Sequence, residues 1–130
     1  MDFETNPAPQ TARPYFIPSS VDFSALPAGV QMALTEIVAP TYDRLVLRAA
    51  SSLERSAGVT LTFLLTLEIL DQFQLGRQFD LGLTSKNAEP EERSKLIARH
   101  LRLITSKQTQ VDFLMRLQTA RARFGHMSYT

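Results

Sequence analysis

The chain has 130 residues, 44% hydrophobic and 21% charged, with no cysteine. That size and balance suit one soluble domain with its own core, and the missing thiols exclude disulfides, thiolate metal sites and cysteine nucleophiles. The formal net charge of +1 conceals a split: from Arg93 onward eight basic residues face one acid, Asp112, for a net +7, whereas the first 92 residues carry −6.

Residues 1–28 contain five of the seven prolines: Pro7, Pro9, Pro14, Pro18 and Pro27. Proline fixes φ and removes a backbone donor, so this density predicts an extended arm. Phe3, Tyr15, Phe16, Ile17 and Phe23 make it too apolar for a solvated tail. It is expected to pack on its own domain or on a neighbour, with Tyr15 and Phe16 as partner contacts. The opening Met-Asp-Phe-Glu-Thr-Asn lacks the basic and apolar regions of a secretory signal. A cytoplasmic protein is expected.

Helical periodicity starts near residue 29. Val30, Ala33, Leu34, Ile37 and Val38 share one face. Pro40 is expected to interrupt that helix, because it pushes the residue before it out of helical geometry. A second stripe, Tyr42, Leu45, Val46, Ala49 and Leu53, is expected to stop at Gly58. Residues 59–79 are apolar nearly all round, which predicts the buried centre of a bundle. The stretch Val59–Leu70 is about half the length needed to cross a bilayer, and it is followed at once by Asp71. No membrane partner is expected. Residues 80–88 read as a loop. Pro90 then suits a first helical position, and Glu91 and Glu92 suit the positive end of the helix dipole.

The last segment changes face. Leu96, Ile97, His100, Leu101 and Ile104 form one stripe, and Phe113, Leu117, Ala120 and Phe124 form another. The polar run from Thr105 to Gln110 lies between them. Two helices, or one kinked helix, are expected between residues 90 and 124.

Four constellations bear on chemistry. Leu53–Leu67 resembles the core of a helix-turn-helix, but its second helix would offer no Lys or Arg before Arg77, so DNA reading is not expected there. Lys95, Arg99 and Arg102 line one helical face, and Arg116, Arg121 and Arg123 follow. These six are the nucleic-acid candidates, acting through phosphate neutralisation. Glu68 and Asp71, with His100, are a conceivable metal set, yet the Glu-x-x-His pairs of di-metal bundles are absent. A buried ion pair with Arg44, Arg48 or Arg77 is the favoured reading. No glycine-rich phosphate loop or paired catalytic set is visible.

The sequence thus predicts an all-α protein: an irregular four- to five-helix bundle around a central apolar helix, residues 59–79, behind an extended Pro-rich arm. The arm is 1–28, the helical domain 29–125 and the tail 126–130. No enzyme, cofactor, metal or small-molecule substrate is expected. The expected role is a self-associating interaction or regulatory module, with partner contacts at Tyr15, Phe16, Phe113, Leu117 and Phe124. Electrostatic nucleic-acid binding is the alternative. The charge split reads first as complementarity within or between chains.

Overall fold

A computed structural model describes residues 22–73 and 89–124, and side chains there except those of Pro90, Arg123 and Phe124. The expected contacts at Tyr15 and Phe16, the loop at 80–88, Arg77 and the tail lie outside those residues. The described residues form helices and their connections, without a strand among them. Asp22 caps a short turn, Phe23–Ala25, by accepting from Ser24 N–H and from the Ser24 hydroxyl. Gln31 ties that turn to the first helix by donating to the Leu26 carbonyl at 2.8 Å.

Helix α1 spans residues 28–47 in four continuous pieces: Ala28–Ala33, Leu34–Val38, Ala39–Tyr42 and Asp43–Leu47. The expected break at Pro40 does not occur. Wide turns with i→i+5 bonding stand on both sides of it: Ala39 N–H donates to Leu34 O, and Arg48 N–H to Asp43 O. Such turns take up an extra residue and re-phase the backbone ladder that proline interrupts. Burial supplies the driving force. Val38 and Thr41 flank Pro40 and are buried, and the Thr41 hydroxyl donates to Ile37 O at 2.8 Å.

Helix α2, Ser52–Gln72, begins where the sequence predicted the continuation of the previous helix. Ser51 is its N-cap: its Oγ accepts from Glu54 N–H, and the Glu54 carboxylate turns back to accept from Ala50 N–H. This is a variant of the reciprocal Ser-x-x-Glu cap. Leu53 accordingly leaves the predicted apolar stripe and is exposed. Gly58 stops nothing and lies buried inside α2. A Cβ there would overlap the Leu45 carbonyl of α1, so glycine serves the close approach of two backbones. Because α2 is continuous through Gly58, the helix-turn-helix is ruled out.

The centre of α2 is buried all round, as predicted. Residues 64–70 are seven consecutive buried positions, about two full turns, so neighbours cover every direction around the axis. Thr62 and Thr66 tolerate this because their hydroxyls donate to Gly58 O and Thr62 O, four residues back.

Helix α3, Pro90–Leu101, starts with proline in its first turn, with Glu91 and Glu92 beside it. Helix α4 is Lys107–Phe124. Of the two expectations for residues 90–124, two helices or one kinked helix, the structure has the first. Between them Ile104 is buried, and the Ser106 hydroxyl accepts from Thr109 N–H at the start of α4. Helices α1, α3 and α4 all pack on α2. Glu54 reaches Thr105 near one end of α2, and Glu68 reaches Arg93 and Arg121 near the other. Hence α3 runs antiparallel to α2, and α4 runs parallel to it. Leu45 at Gly58 and Phe73 beside Gly29 make α1 antiparallel too. The four helices alternate in direction around one core cluster.

Candidate interaction surface

Most groups with chemical potential are spent on holding these helices together. Glu68 and Asp71 do converge, as i, i+3 spacing predicts, but on Arg93 of α3. Its guanidinium reaches Glu68 at 3.3 Å and Asp71 at 2.5 Å, and Arg93 itself is buried. Arg121 of α4 adds a second contact to Glu68 at 3.3 Å. The buried ion pair is present, and among the described residues its cations are Arg93 and Arg121, because α1 sends Arg44 and Arg48 elsewhere; the third expected cation, Arg77, lies outside those residues. Arg44 pairs with Asp112 of α4, and Arg48 with Asp43 of its own helix. Among the described residues, the ion pairs between helices join the two parts of the chain: Arg93 and Arg121 of the basic part meet acids of the acidic part, and Arg44 of the acidic part meets Asp112. His100 stays apart from Glu68 and Asp71 in bonding: its Nδ1 lies 2.8 Å from Leu96 O, so that nitrogen carries the proton.

Glu54 is the second buried acid. One carboxylate oxygen accepts from Ala50 N–H at 2.7 Å, and the other from Thr105 N–H at 2.5 Å and the Thr105 hydroxyl at 2.7 Å. The Thr105 amide, then the Ala50 amide, then the Thr105 hydroxyl hold the carboxyl below its ordinary pKa, against burial, which pushes the other way. Its signal in the sequence is the Ser51-x-x-Glu54 spacing of a capping pair, which overlaps the apolar stripe ending at Leu53.

The six nucleic-acid candidates fall into different surroundings. Lys95 pairs with Glu92 on its own helix, and Arg121 with Glu68. Arg116 is half-buried beside the Arg44–Asp112 pair, in a groove lined also by Thr41, Leu45, Thr109 and Phe113. Arg99 and Arg102 are exposed. The Arg123 side chain lies outside the described residues.

The predicted partner stripe is placed inward. Phe113 is 1% exposed and Leu117 5%, both within the core cluster with Ala120. The chain's own helices already cover those two side chains. The Phe124 side chain is outside the described residues. What α4 leaves open is its other side: Gln108, Val111, Leu114, Met115, Gln118, Thr119 and Ala122 are all exposed. At about 100° per residue they span an arc of roughly 140°. Between Gln108 and Ala122 this arc carries no charge. Of the charged residues at its borders, Asp112 pairs with Arg44 and the half-exposed Arg121 with Glu68, while Lys107, exposed, precedes the strip. Val111 is 49%, Leu114 44% and Met115 59% exposed. The sequence signal was available as the uncharged line Gln108, Val111, Met115, Gln118 and Ala122, but the stronger Phe113–Leu117 stripe masked it.

No protein-family model, curated protein or solved structure matches this chain.

Proposed function

We propose that the chain is a non-enzymatic, self-associating protein-interaction module that meets a second copy through the outer face of α4. The observation that carries this reading is the exposed, uncharged strip from Gln108 to Ala122, with Val111, Leu114 and Met115 at its centre. A solvated helix face ordinarily carries charge, and clustered exposed apolar residues mark contact surfaces. A second copy is the occupant that the charges favour. In a twofold contact the same patch meets itself, so any charge on it would face its like. This strip has none, and its glutamine amides both donate and accept, which lets them pair with their own kind.

The other potentially reactive groups support a non-enzymatic reading, since Glu54, Glu68, Asp71 and His100 all hold bonds within the fold. Electrostatic nucleic-acid binding has less support, because Lys95 and Arg121 are engaged with acids.

Sedimentation velocity of the full chain, from about 1 to 100 μM, tests the reading. The expected result is a weight-average mass that rises with concentration above the 14.6 kDa of one chain. A mass of one chain at every concentration would overturn it.

A further inference from the structure

The end of the bundle where α2 and α4 begin brings cations and exposed leucines together. Glu54 binds Ala50 and Thr105 with one carboxylate, so residues 48–51 lie beside residues 102–106. Leu53 and Leu103, one from each side, are 62% and 37% exposed. Around them Arg55, Arg99, Arg102 and Lys107 are exposed, and none has an acid within ion-pair distance among the described residues. Between residues 47–55 and 99–108 the sole acid is Glu54. It is buried and turned inward, so it neutralises nothing at the surface.

Helix electrostatics account for part of this patch and leave the rest unexplained. Arg99 and Arg102 sit at the end of α3, where cations suit the dipole. Arg55 and Lys107 sit near the starts of α2 and α4, where a cation opposes it. Their placement costs stability within the chain and gains from an anion outside it. A second copy is a poor occupant, because the cationic patch would meet itself. Nucleic acid would satisfy the cations but leave the leucines without a role. An anionic bilayer surface satisfies both: phosphate and carboxylate headgroups neutralise the cations, and the leucines enter the headgroup–acyl boundary.

We propose that this end of the bundle docks on an anionic lipid surface, with Arg55, Arg99, Arg102 and Lys107 on the headgroups and Leu53 and Leu103 inserted between them. The contact is peripheral. No helix among the described residues is long and apolar enough to cross a membrane, and the expectation of no membrane partner rested on that spanning criterion. The surface adjoins the outer strip of α4 at Lys107 but shares no residue with Gln108–Ala122, so different variants test it and self-association.

Flotation of the full chain with vesicles tests it, using phosphatidylcholine alone and phosphatidylcholine mixed equally with phosphatidylserine. The protein is expected to float with the anionic vesicles and to stay behind with the neutral ones. The double variant Arg99→Gln/Arg102→Gln is expected to bind about 25-fold more weakly, at about fivefold per cation. The variant Leu53→Ser/Leu103→Ser is expected to lose about tenfold while keeping the wild-type melting temperature, since both leucines are exposed. Failure to float with anionic vesicles, or equal binding to both kinds, would overturn the proposal. So would binding to duplex DNA that needs the arginines, is indifferent to the leucines and occurs without vesicle binding.

Discussion

Glu54 and Thr105 are 51 positions apart, yet one carboxylate oxygen of Glu54 accepts both the amide and the hydroxyl of Thr105. The other oxygen accepts the amide of Ala50. A single buried acid thus closes two interhelical connections at once. It supplies acceptors to backbone donors of the two connecting segments, each one residue before a capping serine.

Replacing Glu54 by alanine removes the acceptor of two amides, those of the exposed residues Ala50 and Thr105. The expected loss is about 1–3 kcal/mol in urea unfolding, at roughly 0.5–1.5 kcal/mol for each hydrogen bond lost. Glu54→Gln keeps one acceptor oxygen and is expected to cost about half as much.

The same residue sets an acid limb in the stability profile. Its folded pKa is lowered, so the unfolded chain binds the proton more tightly. Its contribution is fully present above the ordinary carboxylate value of 4.5 and fades as pH falls through the lower folded value. Unfolding midpoints measured downward from neutral pH are expected to fall less steeply below that range in Glu54→Gln than in the wild type. Parallel slopes would refute the assignment.

Gly58 and Gly29 make a matched pair. At Gly58 a methyl group meets the Leu45 carbonyl, which is backbone and cannot swing aside. Gly58→Ala is therefore expected to destabilise by about 2–3 kcal/mol, despite alanine's helix preference of about 1 kcal/mol. At Gly29 the nearest atom is Phe73 Cε1 at 3.5 Å, an ordinary contact. Gly29→Ala is expected to be neutral or slightly stabilising, and thermal melts of both variants check the contrast.

Arg93 and Arg121 share Glu68 but differ in burial. Arg93→Ala leaves Glu68 and Asp71 without their buried cation, and about 3–5 kcal/mol is the expected cost. Arg121 is nearly half exposed, and Arg121→Ala is expected to cost less than about 1 kcal/mol.

The α4 strip is tested by opposite charges. Met115 lies midway along it and is expected to face its own copy in an antiparallel pairing. Met115→Lys and Met115→Glu are each expected to abolish self-association, and mixing the two is expected to restore it. Dimer loss without rescue on mixing would place the contact elsewhere. Phe113→Ala, by contrast, is expected to cost about 3–5 kcal/mol of stability, because it empties the core.

Periodicity made the all-α class, the buried centre of α2 and the division of residues 90–124 legible from the sequence. Solvent exclusion acts on a residue's own hydrophobicity, and the run from Leu64 to Leu70 reads the same way in any context. The Pro90 start followed equally from local backbone chemistry. Other features depended on which surfaces met. Pro40 reads locally as a breaker, but burial on both sides carries the helix through it in wide turns. Gly58 reads as a stop and instead admits the Leu45 carbonyl. Glu68 and Asp71 read as a converging pair, while the choice of Arg93 over Arg44 required the antiparallel placement of α3. The apolar residues of α4 were all visible. Which of its two stripes closed the core was settled only by packing: Phe113, Leu117 and Ala120 join the cluster around α2, where burial of the larger apolar face gains most, and Val111, Leu114 and Met115 stay outside.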